Sequence, residues 1–457
     1  MQRQDFQLNH DVLAALREVE VQVFARKTPK SQALYEQSRK VMPNGVPCSW
    51  MSAFYPGTEI FAAKGSGCYI EDVDGNRYLD MTQCDLSMAC GFGPEPISRA
   101  VAERFANGSH FILPTEDAIA VCGMLADRFG MPYWQFTLSA STANTEAIRI
   151  SRFATGRDKV LIFDGKYHGH IDETLVQASP DGAIPGNYGL PKDVTKRTVV
   201  VPFNDLDAVE MALKTGEIAC VLTEPVMTNI GVLHPDEGFH AALRTMTRDH
   251  GAMLIIDETH TQVACYGGFT RLWQLEPDIL TLGKCVGGGV PVGAYGVSPA
   301  LSTLIEANTE PTIEDGPTLA LGGTTYGNAL NMAAARAALE HVLTETAYER
   351  VASLGGRLAD GIDTIIARHD LPWRAHRLGN RSGLCLSEEL PRNAAEASTT
   401  IDHQLNLATR AFMANRGIWE PIYIHGPSVS FAHTERDVDI YLDTLGDWIG
   451  ALVRVHG

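Results

Sequence analysis

Between about residues 100 and 300, short apolar runs alternate with segments of helical period, and no other feature restricts the fold as much. KVLIFDG (159–165), EIACVLTEP (217–225), AMLIIDE (252–258) and DILTLGK (278–284) have the length of strands. They are continuously apolar, whereas a half-buried strand would alternate. A strand that is apolar on both sides needs cover on both faces, which helices flanking a parallel sheet supply. The intervening segments fit that role: in 238–250, Phe239, Leu243 and Met246 share one helical face. The expectation is an α/β fold with a mainly parallel central sheet. Chemistry in such sheets gathers at the carboxyl ends of the strands.

The flanking regions read differently. Residues 11–40 carry scattered apolar positions among charges and predict helix. The stretch 42–57, MPNGVPCSWMSAFYPG, is a structured loop by its Pro, Gly and aromatic content. Residues 60–80 predict a β-meander with Asp74-Gly75 at a hairpin turn. A long Ala-rich helix opens near Asn328, and less regular elements follow it to residue 457. The expected organisation is a large domain over 61–330 and a smaller α+β domain over 331–457, with the segment 1–60 packing on the smaller one.

Composition removes several classes of function. Lys and Arg number 37 against 55 Asp and Glu, a net charge of −18, and no basic block occurs. Nucleic acid and anionic membranes need clustered cations, so neither is an expected partner. No apolar run reaches the ~18–20 residues of a membrane span, and the polar first residues lack a signal-peptide pattern. The 9 cysteines are odd in number and none has CxxC spacing. That disfavours a disulfide framework and a structural zinc site, and it predicts reduced thiols and a cytoplasmic location.

Two strand ends carry the chemistry. Asp257 closes LIID, where a carboxylate is costly unless it meets a cation or strong donors. Lys284 stands at the end of TLGK before Gly287, Gly288 and Gly289. A desolvated strand-end lysine is suited to imine chemistry, because burial frees the amine. A P-loop is excluded: Asp278 occupies the glycine position of that motif and Cys285 its Ser/Thr position. The two residues are 27 positions apart, one strand–helix–strand step, so both can face one cofactor. Pyridoxal phosphate needs such a pair, a lysine for the imine and an aspartate to keep the pyridine nitrogen protonated.

With these motifs the chain resembles the class III aminotransferases of PLP fold type I, in particular glutamate-1-semialdehyde aminomutases and their amine- and β-amino-acid-transaminase relatives. EPVMTNIGVLHPDEGFHAALR, LIIDET, PDILTLGKCVGGGVPVGAYG and SFAHTERDVD carry the resemblance in order, from about residue 40 to 440. It implies pyridoxal 5′-phosphate as cofactor, with Lys284 forming the imine and shuttling the proton, and Asp257 on the pyridine nitrogen. It further implies Tyr167 stacked on one ring face and Thr259, where the family usually has Val, on the other. Glu224 takes the place of a glutamate near the ring. Thr324 matches a threonine that reaches the cofactor phosphate of a neighbouring subunit, which implies a homodimer with shared sites. The phosphate cup, Ser-Gly-Thr-Glu-Ala in the family, is matched to Ala143, Asn144, Thr145, Glu146 and Ala147. Asn144 then supplies the left-handed conformation of the glycine, and Ser141 and Thr142 are the substitute hydroxyls. The H-x-H pair His168 and His170 has no third ligand nearby in sequence, so no metal is expected.

On the substrate side the chain departs from the family. Met51 or Ser52 falls where aminomutases carry a carboxylate-binding Arg. His425 stands near the position of a Glu or Arg before the AHT motif, and no Arg occurs between Gly417 and that motif. A bidentate Arg is the usual grip on a carboxylate. Trp50, Phe54, Tyr55, Trp419 and Tyr423 offer an aromatic pocket instead, with His425 as a polar contact and Arg271 as a remaining cation. The reading is an aminotransferase moving an amino group between an amine or β-amino compound and a keto acid or aldehyde. The alternatives are a lyase, racemase or aminomutase of the same fold, and a non-catalytic binding protein that retains the fold.

Overall fold

The computed structural model describes residues 6–55, 57–180, 182–309, 318–421 and 426–456. The chain forms two compact units. One runs to Pro94 and takes in Glu349–Leu390 and Ser398–Gly457; the other comprises Glu95–Tyr348 and Pro391–Ala397.

The Glu95–Tyr348 unit is built on a seven-stranded sheet. Its spatial order is Tyr133–Thr137, Gly293–Val297, Ile279–Leu282, Met253–Asp257, Ile218–Thr223, Lys159–Phe163 and Thr198–Val201. Gly293–Val297 is antiparallel to both its neighbours, and every other adjacent pair is parallel. The four apolar runs are thus adjacent inner strands, and period-2 geometry explains why they are apolar throughout. Val160 and Ile162 face a cluster with Ala143, Ala147 and Ile150, while Leu161 and Phe163 face another with Val209, Phe239 and Leu243. The helices Ala140–Thr155 and Phe239–Asp249 therefore cover opposite faces of the sheet. Each such side chain contributes about 1.5–3 kcal/mol on burial, so the sheet is the rigid part from which strand-end residues project.

The other unit contains the meander Ala62–Ser66, Tyr69–Asp72 and Arg77–Asp80. Ile418–Trp419 adds to its edge in parallel with Arg77–Asp80. That pairing puts residues 61–94, assigned by sequence to the large domain, with the C-terminal residues instead. Phe24, Tyr78, Ala414 and Trp419 form a core there, with Phe54, Ile60 and Ile70 packed against it. The helical reading of 11–40 resolves into His10–Lys27 and Pro29–Ser38. Pro29 cannot donate into the preceding turn, and Thr28 before it leaves the helical region at φ −123°.

Candidate functional site

Asp257 ends its strand 3% exposed, and three donors reach its carboxylate, which leaves acceptor capacity on Oδ1. The Thr259 N–H donates to Oδ1 at 3.0 Å. Asn144 Nδ2 and His168 Nδ1 donate to Oδ2 at 2.8 and 2.9 Å. Burial pushes this carboxyl's pKa up, but the donors, His168 first among them, outweigh burial and hold it below the ordinary carboxylate range. Asp257 is therefore a carboxylate whose donors favour its charged form in a desolvated corner. Asn144 is itself fully buried and tied on both sides: Thr281 Oγ1 donates to its carbonyl at 2.7 Å, and its amide also donates to the His168 carbonyl at 2.9 Å.

Lys284 follows the neighbouring parallel strand, in which Thr281 is the register partner of Asp257. Its φ is +54°, a left-handed conformation that costs a residue with a Cβ about 1–2 kcal/mol. Its Nζ lies 2.6 Å from His260 Nε2. Gln262 ties the two strand-end loops together, its amide donating to Thr259 O at 3.2 Å and to Gly283 O at 2.9 Å.

The N-terminus of helix Ala140–Thr155 closes the corner. Ser139 caps it, its hydroxyl accepting the Thr142 N–H at 3.3 Å, while the Ser139 N–H donates back to Thr142 Oγ1 at 3.2 Å. This corrects the placement of the phosphate cup. Ala143, Asn144 and Thr145 lie beyond the helix's first turn, where backbone N–H groups are spent on the helix; that of Ala143 bonds Ser139 O at 3.0 Å. Asn144 is helical, not left-handed, and its side chain serves Asp257. The first-turn N–H groups of Ala140 and Ser141 are those a helix leaves without an internal partner. Two glycines bring backbone against this end. A Cβ on Gly283 would lie 2.9 Å from Ala140 N, and one on Gly169 would lie 2.3 Å from Ser141 Oγ. Lys284 and the 167–170 loop are thus both delivered to the helix N-terminus.

Tyr167 is 46% exposed, beside the Asp257 partner His168. Thr259 is buried, and its hydroxyl has no hydrogen-bond partner among the described residues. Glu224 is buried and accepts the Thr228 N–H at 3.3 Å and its hydroxyl at 2.5 Å, so part of its acceptor capacity serves its own turn. Thr324 is exposed in the turn before helix Ala329–His341. Arg271 donates to Asp127 O at 2.6 Å and faces the Tyr266 ring; its guanidinium is engaged with the end of helix Glu116–Phe129. Trp50 and Tyr55 belong to the other unit, where Trp50 stacks edge-on with Phe54 and Tyr55 with Tyr35. Tyr423 and His425 lie outside the described residues. Among the described residues no three His, Cys, Asp or Glu side chains gather as a metal site.

Sequence reasoning passed over His260, Gln262 and Ser139. The signal for the first two was present in DETHTQ, polar residues directly after a strand-end aspartate. For Ser139 it was a Ser three residues before Thr142, the spacing of a reciprocal cap.

The site offers an anion-binding helix end, a buried carboxylate, a strand-end amine, an exposed aromatic ring and a buried hydroxyl that has no partner among the described residues. That donor set fits a phosphorylated, aldehyde-bearing heteroaromatic cofactor. Comparison with known proteins agrees with it. Residues 51–419 match the family described as aminotransferase class-III. The chain is 35% identical over 425 residues to a glutamate-1-semialdehyde 2,1-aminomutase of Chloroflexus aggregans, covering 90% of this chain and 95% of the relative. A crystal structure of a glutamate-1-semialdehyde aminomutase from Pseudomonas aeruginosa PAO1 superposes with TM-score 0.93 at 35% identity, over 98% of this chain and 100% of that one. An omega-transaminase from Sphaerobacter thermophilus gives TM-score 0.84 at 29% identity, over 93% and 97%.

Proposed function

This chain belongs to the class III aminotransferase family and is an enzyme of pyridoxal 5′-phosphate, and we propose that it moves an amino group between an amine or β-amino compound and a keto acid or aldehyde. The observation that carries amino-group chemistry is the pairing of Asp257 and Lys284 at the ends of adjacent parallel strands, the first held ionised by three donors. When bound, the cofactor supplies an electron-withdrawing ring that stabilises charge on a carbon losing its proton. Asp257 is the residue to keep the ring nitrogen protonated. Lys284 anchors the cofactor and carries the proton from one carbon to another. The N–H groups of Ala140 and Ser141, with the Ser139 cap, take the phosphate. Tyr167 covers one ring face, and Thr259 offers a hydroxyl on the other. Glu224 lies nearby in role, its carboxylate set by Thr228.

The choice of donor rests on the absence of Arg from residues 40–63 and from Gly417 to the AHT motif. A second reading, amino transfer within one molecule, is favoured by the names of the relatives at 35% identity, which are 2,1-aminomutases. We further read the molecule as a homodimer in which Thr324 reaches a partner's site. Exposed Phe111, Ile112, Leu113 and Ile119, at 45%, 76%, 70% and 76%, give a second copy an apolar surface to cover. Nine free thiols among the described residues fit a reducing, cytoplasmic location. No helix among the described residues is long and apolar enough to cross a membrane.

The test is to mix holoenzyme with amines, β-amino compounds, α-amino acids and glutamate 1-semialdehyde, with no acceptor, and follow the cofactor's absorbance. Bleaching of the yellow band by an amine or β-amino compound with release of its carbonyl product is the expected result. Turnover of glutamate 1-semialdehyde by a shift of its amino group from carbon 2 to carbon 1 would establish the second reading. Best turnover with glutamate or alanine would refute the first.

A further inference from the structure

Lys284 Nζ and His260 Nε2 stand 2.6 Å apart, and two protonated bases cannot share that distance. An ammonium has only donors, so His260 accepts through Nε2 while Lys284 is charged, and the roles reverse when the amine is neutral. The contact is fixed from both sides. Upstream of His260, the Thr259 N–H is bonded to Asp257 Oδ1 at 3.0 Å. Downstream, the Gln262 side-chain amide donates to Thr259 O and to Gly283 O, at 3.2 and 2.9 Å, and the Gln262 backbone carbonyl accepts from Tyr348 Oη at 2.9 Å. Lys284 is held in a left-handed conformation that it would leave if nothing were gained. Both side chains are half-buried, so water competes poorly for the proton between them.

We propose that His260 is a further catalytic residue, the proton acceptor and donor for the Lys284 amine, with Gln262 as the residue that positions it. This rests on the reading of Lys284 as the cofactor-anchoring amine. The proton balance is complete without another group. The Lys284 ammonium gives one proton to His260 Nε2 and becomes a nucleophile. Its nitrogen bonds to the cofactor's aldehyde carbon. The aldehyde oxygen then leaves as water, taking one proton from that nitrogen and one back from His260 as the carbon–nitrogen double bond forms. Among the described residues, the ionisable groups brought to this corner include Asp257 and Glu258 from the same segment, His168 bonded to Asp257, Cys285 next to Lys284, and Tyr348 bonded to the Gln262 backbone. Asp257 is engaged by its three donors and Glu258 by Thr261 and Thr270, and Cys285 is buried with its thiol pushed up to about 12. His260 is the group of this set in direct contact with the amine, and an imidazole can both accept and donate a proton.

The test is the rate at which apoenzyme captures pyridoxal 5′-phosphate, read by stopped-flow absorbance at fixed pH. It is run on wild type, His260→Gln and His260→Ala, beside the equilibrium affinity for pyridoxamine phosphate, which has no aldehyde to react. Loss of general acid–base help costs roughly 10²–10⁴-fold where it is fully used. His260→Gln keeps a polar contact but carries no proton, and its capture rate falls at least about tenfold on that basis, with pyridoxamine phosphate affinity within about twofold. Added imidazole restores capture by His260→Ala. Unchanged capture rates, or equal losses of capture rate and pyridoxamine phosphate affinity, would overturn the role of His260. Capture by Lys284→Ala at the wild-type rate would overturn the anchoring role of Lys284 itself, a result distinguishable from the first.

Discussion

Replacing Asn144 by Ala tests whether the buried network around Asp257 is one cooperative unit. The substitution deletes three hydrogen bonds: to Asp257 Oδ2 at 2.8 Å, to His168 O at 2.9 Å, and from Thr281 Oγ1 at 2.7 Å. The first goes to a charged acceptor and is worth about 1.5–3 kcal/mol net, and the neutral two about 1 kcal/mol each. Thr281 and Asn144 are both fully buried, so the groups left behind have little solvent to turn to. The sum is about 3–5 kcal/mol, a large share of the ~5–15 kcal/mol that holds a domain together. At roughly 2 °C per kcal/mol for a unit of this size, the thermal midpoint of cofactor-free protein falls by about 6–10 °C. Cofactor-free protein is specified because a ligand that binds only the native state would mask the loss. Thr281→Val removes the hydroxyl that bonds Asn144, so the double variant should be less destabilised than the two single losses added, by about 1 kcal/mol or more. A fall below about 2 °C for Asn144→Ala, or strict additivity in the double variant, would refute the network.

Two further outcomes follow from the same unit. Gly268 has φ +66° and an added Cβ would lie 2.6 Å from the Glu258 carboxylate, whereas Gly130 has φ +75° and open space around it. Gly130→Ala should cost about the 1–2 kcal/mol of a left-handed residue, and Gly268→Ala a further 1–3 kcal/mol of overpacking; equal melting shifts would contradict this. Burial pushes the Glu258 carboxyl up to about 7 against the hydrogen bonds from Thr261 and Thr270. The native state thus binds this proton more tightly than the unfolded chain, so the contribution is full below about pH 4 and is lost as pH rises through about 7. The difference between wild-type and Glu258→Gln melting midpoints should therefore change between about pH 5 and 8, and a constant difference across that window would show that Glu258 does not titrate there.

The parallel sheet was legible because its signal is local and redundant. A strand such as Lys159–Phe163 declares itself by burying residues on both faces, and four such runs in one chain leave few other folds. Asp257 and Lys284 were legible for a related reason, since a carboxylate and an amine that end apolar strands need an explanation at once. The meander was legible as strands but not as to where it belongs. Its edge is completed by Ile418–Trp419, more than 300 residues away, and two residues carry no strand pattern of their own.

The phosphate-binding end shows the opposite limit. Matching Ser-Gly-Thr-Glu-Ala to Ala143–Ala147 used identical residue types at Thr145, Glu146 and Ala147, but a helix N-terminus is defined by which N–H groups lack partners, not by residue names. The reciprocal cap of Ser139 and Thr142 starts the helix one turn earlier, which turns Asn144 inward onto Asp257. A glycine there would leave Asp257 one donor short, so the residue that looked like a defect in the cup is a support for the carboxylate. His260 escaped notice because nothing in DETHTQ states what lies opposite it. Only the adjacency of two parallel strands, with Gln262 joining their loops, sets its imidazole against Lys284. Residues that touch substrate-like groups through such loop pairings are specified by the register of the sheet. Sequence alone reaches them once the order of the strands is known.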